Sequence, residues 1–132
     1  MQEGIKVSYP SAKAFIDLLE TLGELVDEVI MKVTPDGVNI RALDPAHVAL
    51  INISLPPDVF LEFEVPKSTD IGMSISGLIK ILPSPKKGDK LTIQASEEFF
   101  ELIIEGVVRR RYKFSLFHGL FLSRVEVNRD YE

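Results

Sequence analysis

The chain has no cysteine and no tryptophan, and its only histidines are His47 and His118. Without thiols there is no disulfide, no thiolate nucleophile and no thiolate metal ligand. Two imidazoles fall short of a conventional zinc site, so no metal is expected. The sequence also lacks any uncharged apolar run of about 18 residues, the minimum for a membrane-spanning helix. Met1 to Tyr9 includes Glu3 and Lys6 and lacks the apolar core of a signal peptide. These absences point to a soluble, cytoplasmic protein (nuclear in a eukaryote) with no membrane partner. A surplus of positive charge is missing as well: 20 acids face 15 bases, a formal net charge of -5. A protein that wraps nucleic acid over its whole surface should be basic, so that simple arrangement is disfavoured.

What remains is an ordinary globular composition, 45% hydrophobic and 27% charged over 132 residues, the size of one domain. Ile5 and Val7 alternate with Lys6 and Ser8 as a short strand. Pro10-Ser11 then opens a helix in which Phe15, Leu18, Leu19 and Leu22 follow the spacing of a buried stripe, and Gly23 ends it. Val29, Met31 and Val33 form one strand face. Thr34-Pro35-Asp36-Gly37 is a turn, and Val38, Ile40 and Ala42 complete a hairpin. His47 to Leu55 is a further strand, closed by Pro56-Pro57 because neither can donate to a sheet ladder. Phe60 to Val65 and Asp70 to Ile75 are short extended pieces. Ser76 to Leu82 makes about two helical turns, with Ser76 as N-cap and Pro83 as terminator. Three strands follow: Leu91, Ile93 and Ala95 on one face, then Phe100, Leu102 and Ile104, then Val107 to Leu116. The order β-α-β-β-β-β-β-α-β-β-β with short connections predicts an α+β fold, a mostly antiparallel sheet with two helices on one face.

Several of these segments resemble the DNA sliding clamps of the proliferating cell nuclear antigen family, most closely its archaeal members. They are Asp36-Gly37-Val38; Ala42-Leu43-Asp44-Pro45-Ala46-His47-Val48-Ala49-Leu50; Leu55-Pro56-Pro57; Ile71-Gly72-Met73; Leu78-Ile79-Lys80-Ile81-Leu82; and Ile103-Ile104-Glu105-Gly106. They occur in register from Ile5 to about Leu116. The resemblance implies a sliding-clamp N-terminal domain over residues 1–117, from a two-domain subunit of which three close head-to-tail around duplex DNA. It implies no catalysis and no cofactor. Its implied partners are double-stranded DNA, DNA polymerase, flap endonuclease, DNA ligase, a clamp loader, and identical or paralogous clamp subunits. Residues 118–132 depart from the acidic connector that the family carries there and form an atypical tail. A shifted reading frame, an artefact of the sequence and a single-domain variant all fit that departure.

The resemblance also nominates surfaces. Lys80, the only charge on the second helix, matches a DNA-facing basic position; Lys13 on the first helix, and Lys86 and Lys87 in the turn after the second, are further DNA candidates. Lys13 and Asp17 can equally form a local i, i+4 pair, and Lys86 and Lys87 a solvated turn. Pro83 stands where many members have another basic residue. Leu43, Asp44, His47, Val48 and Leu50 match the pocket for client peptides, although Val48 and Leu50 also read as a buried strand face. Asp44 and His47 could be an acid–base pair, but no nucleophile or orienting third group accompanies them. In Arg109-Arg110-Arg111-Tyr112-Lys113, alternation places Arg109, Arg111 and Lys113 on one face and Arg110 with Tyr112 and Phe114 on the other. In the family this is an edge strand that meets the next subunit, so Arg109, Arg111, Tyr112 and Lys113 are candidate subunit contacts; the plain alternative is a solvated basic edge. Two functions compete: a ring-forming processivity clamp, and a clamp-derived interaction module without ring function.

The charge is uneven. Nine bases and seventeen acids precede residue 107, whereas six bases and three acids follow from it. An acidic outer wall with a few inward lysines is compatible with DNA passing through a ring.

Overall fold

A computed structural model of the chain describes residues 4–43, 49–82, 84–96, 98–117 and 120–130. The elements are β1 (Ile5–Tyr9), α1 (Ala12–Gly23), β2 (Glu28–Thr34), β3 (Gly37–Leu43), β4 (Ala49–Leu55), a short 3-10 turn (Pro57–Val59), β5 (Glu62–Glu64), β6 (Thr69–Ser74), α2 (Ile75–Ile81), β7 (Lys90–Ala95), β8 (Phe99–Glu105), β9 (Arg109–Phe117) and β10 (Leu120–Asp130). Up to β9 this is the predicted order. The predicted antiparallel sheet is divided in two: a six-stranded sheet ordered β10-β9-β8-β7-β1-β5 and a four-stranded sheet ordered β4-β3-β2-β6. The division rests on pairings distant in sequence, β1 with β5 and β7, and β2 with β6, which periodicity does not encode.

The core lies between these layers. Alternation delivers Val29, Met31 and Val33 from β2, Leu91, Ile93 and Ala95 from β7, and Phe100, Leu102 and Ile104 from β8 to the buried side. On α1 the buried stripe is Phe15, Ile16, Leu19 and Leu22; Leu18, expected in it, is only half-buried. Phe100 and Phe114, both fully buried, stack with ring centroids 4.9 Å apart. On the outer face of the larger sheet the Ser8 and Thr92 hydroxyls lie 2.7 Å apart, and Ser8 donates to Glu62 at 3.1 Å, so both buried hydroxyls are satisfied.

Local chemistry fixes the joints. At the β2–β3 turn, Gly37 has φ 140°, a conformation that side chains resist, and a Cβ there would come 2.6 Å from the Leu55 carbonyl oxygen on β4. Ser11 caps α1 as expected, its Oγ accepting from the Ala14 N–H at 3.1 Å. The cap of α2 is Ser74, not the predicted Ser76. Asp27 accounts for the shift: its carbonyl accepts from Ile75 N–H at 2.8 Å and its Oδ1 from Ser76 N–H at 2.9 Å, so the helix begins earlier. The predicted terminator Pro83 lies outside the described residues.

α1 and α2 lie side by side, α1 also against β7 and α2 against β6. A Cβ on Gly23, the last residue of α1, would meet Ile75, the first of α2, at 2.9 Å. The end of one helix therefore adjoins the start of the other.

Candidate functional site

Lys13 stands in the first turn of α1 and Lys80 in the last turn of α2, both exposed. Lys13 is engaged locally, its Nζ 3.3 Å from Asp17 Oδ2, as the i, i+4 alternative expected. Lys86 and Lys87 are exposed in the turn leading to β7. Asp89 organises that turn: its Oδ2 accepts from Lys86 N–H at 2.9 Å and its carbonyl from Ala12 N–H at 2.8 Å. The turn is thus tied to the start of α1, which places Lys86 and Lys87 near Lys13.

The same turn forms one wall of an open groove of about 360 Å³ whose other wall is the β8–β9 turn. Lys86, Lys87 and Arg110 line it together with Asp89, Ile104 and the almost fully exposed Val107. Arg110 was not singled out from the sequence, because alternation puts it on the face of Tyr112 and Phe114. It lies near the start of β9, opposite Ile104, where that face leaves the core and borders the groove. Its closeness to the Gly106 turn was the available signal. Three cations around one concavity can hold an anionic group, carboxylate or phosphate.

On β9 the two faces behave differently. Arg109 Nε is 3.2 Å from Glu105 Oε2, and Lys90 Nζ is 3.6 Å from Glu105 Oε1. Arg111 Nε lies 3.8 Å from Glu101 Oε1, and Lys113 Nζ sits 4.2 Å above the Phe99 ring. These three cations therefore face the outer surface of the larger sheet, among acids of β8. Tyr112 is 7% exposed and belongs to the core. β9 is also not the edge that the sequence reading expected: β10 pairs antiparallel along it, from Leu120 opposite Phe117 to Asp130 opposite Arg109.

Of the residues matched to the client pocket, Asp44, His47 and Val48 lie outside the described residues. Leu43 ends β3 and Leu50 lies near the start of β4, with a register shift between Ala42 and Leu43. The backbone thus brings Leu43 and Leu50 to one end of the smaller sheet, of which β4 is an edge. Among the described residues no three His, Cys, Asp or Glu side chains form a group able to hold a metal ion, and no helix is long and apolar enough to cross a membrane.

Among the described residues the one carboxyl with a displaced titration is Asp27, held below its usual 3.8 by the Ser74 hydroxyl and by the N–H and hydroxyl of Ser76, with Lys80 adding attraction; partial burial works against them. Ser74 Oγ donates to Asp27 Oδ2 at 2.7 Å. Asp27→Ala is expected to cost about 1 kcal/mol, the usual loss for a helix-start acceptor. The lowered value means that the charged form is favoured by folding. Its contribution is complete above pH 3.8 and disappears as pH falls through the folded-state value. Urea melts of parent and variant should therefore differ near neutrality and converge in strong acid; a constant difference would contradict this role.

With this geometry in hand, the proliferating cell nuclear antigen N-terminal domain matches residues 5–120. The chain belongs to the proliferating cell nuclear antigen family. The DNA polymerase sliding clamp of Pyrococcus furiosus is 38% identical over 112 residues, covering 84% of this chain and 45% of that protein. Proliferating cell nuclear antigen from Thermococcus kodakaraensis superposes with TM-score 0.77 at 27% identity, over 87% of this chain and 47% of the other. A chain of the PCNA2–PCNA3 complex from Sulfolobus tokodaii gives 0.75 at 28% identity, over 96% and 48%. The chain thus spans about half the length of the sliding clamps it matches. The nominated lysines, the groove and β9 all fall inside the matched region of this clamp domain, and β10 begins at its last residue.

Proposed function

We propose that the chain is the N-terminal domain of a DNA sliding clamp, a non-enzymatic processivity factor that works in the cytoplasm. In this reading Lys80, Lys13, Lys86 and Lys87 approach the phosphates of an encircled duplex. Leu43, Asp44, His47, Val48 and Leu50 receive peptides from DNA polymerase, flap endonuclease and DNA ligase. Arg109, Arg111, Tyr112 and Lys113 belong to the strand through which identical or paralogous clamp subunits join, with a clamp loader opening and closing the assembly. Domain 1–117 carries these surfaces and 118–132 is an appendage to it. The observation that supports the reading best is the paired helices, with Lys13 and Lys80 exposed, on a two-sheet fold that superposes on sliding clamps.

The mechanism is topological. Contacts between lysines and phosphates are independent of sequence and weaken with salt, so they leave the ring free to slide. A head-to-tail assembly of single domains would close with about six copies, or with fewer where paralogous subunits contribute their own second domains. The defining test is retention on closed circular duplex and release on cutting the circle. A second reading, an interaction module without ring function, is favoured by one observation: β10 occupies the outer edge of β9.

A further inference from the structure

We infer that β10 is a built-in occupant of the edge of β9, so that assembly through this edge requires strand exchange. The inference rests on the clamp reading for the role of that edge. Its structural basis is independent of that reading.

β9 is nine residues long and would end the larger sheet without β10. A bare edge of that length presents a row of unpaired backbone groups that recruits another strand. β10 pairs with it at Phe117, Leu116 and then from Phe114 to Arg109, interrupted by a bulge between Phe121 and Val125. The register places Val125 opposite Phe114 and Val127 opposite Tyr112, the two core positions of β9. It places Glu126 opposite Lys113 and Asp130 opposite Arg109, on the charged face. Two register pairs thus set apolar beside apolar and two set acid beside base, while Asn128 falls opposite Arg111 and Arg129 opposite Arg110. A slip of one residue would reverse both matches, which is how a sequence selects one register. β10 also adjoins β6, an edge of the smaller sheet, so it spans the two sheets on that side. The family match ends at residue 120, where β10 begins. An entering strand from a second clamp subunit must displace β10 residue by residue.

The experiment compares the full chain with Glu126→Pro/Val127→Pro. Successive N–H groups of a strand point to opposite sides, so two adjacent prolines remove at least one donor from the β9 ladder. Amide exchange across 109–117 is read together with the mass of the particle, and circular dichroism checks that the remaining fold persists. In the parent, slow exchange and one chain per particle are expected. In the variant, exchange in β9 should rise about tenfold or more, and particles of several chains should form. Fast exchange along β9 in the parent would overturn the inference and leave the clamp reading standing. Exposure in the variant without any gain in mass would overturn it too, and would count against β9 as an assembly edge.

Discussion

Phe114→Ala lowers the unfolding free energy by about 3–5 kcal/mol, the range for deleting a buried phenyl ring. Phe114 is fully buried on β9, stacked on the equally buried Phe100 of β8, and next to the Tyr112 position. The loss includes the ring's transfer from water, its aromatic pairing, and a cavity that two rigid sheets cannot close. For a domain whose total stability is of order 5–15 kcal/mol, the change removes a large share. The backbone that positions Phe114 inward positions Arg109, Arg111 and Lys113 outward, so loosening one face blurs the other. Urea melts measure the effect. Phe114→Leu, which keeps most of the volume, should lose much less, and an equal loss in both variants would point to backbone disruption in place of a cavity.

Gly37→Val carries the second large effect. At φ 140° a β-branched residue is strained, which alone costs roughly 1–3 kcal/mol. The new Cβ would in addition lie 2.6 Å from the Leu55 carbonyl oxygen, so β3 and β4 must separate at that end. Their other end carries Leu43 and Leu50, and a shifted β4 changes the geometry there. A drop in melting temperature is expected and, under the proposed clamp reading, weaker binding of client peptide as well. Gly37→Ala should be milder, although the same contact remains. A variant as stable as the parent would mean that this turn adopts another conformation.

Much of this architecture was legible because it is local. Ser11 before a stripe of Phe15, Leu19 and Leu22 marks α1, and apolar–polar alternation marks β2, β3 and β7. What periodicity could not convey is which strands meet. β5 pairing with β1, and β6 with β2, depends on contacts distant in sequence, and so does the division into two sheets. The cap at Ser74 was missed for a similar reason, since its selection depends on Asp27, which is separated from α2 by the five strands β2 to β6. Tyr112 matched an interface position by resemblance, yet alternation alone already placed it with Phe114, and it is buried. Arg110 is the converse case. It shares that inward face but stands near the strand's end, where the core gives way to a groove between two turns.

Under the proposed clamp reading, an acidic chain can meet DNA through local basic surfaces. Lys13, Lys86 and Lys87 are gathered by the link between Asp89 and Ala12 rather than spread over the molecule. Lys13 is itself paired with Asp17, as Lys6, Lys90, Arg109 and Arg111 are with their neighbouring carboxylates. A local cluster attracts phosphate over about a Debye length, and net charge matters less than placement at physiological salt.

The most direct test of the clamp reading is retention on DNA of two topologies. The full chain, with clamp loader and with paralogous clamp subunits, is applied to closed circular duplex, passed through a sizing column in moderate salt, and then exposed to a nuclease that cuts the circle once. The clamp reading expects protein to remain with the closed circle and to leave once the circle is linear. Equal retention on both forms, or no retention on either, would contradict it.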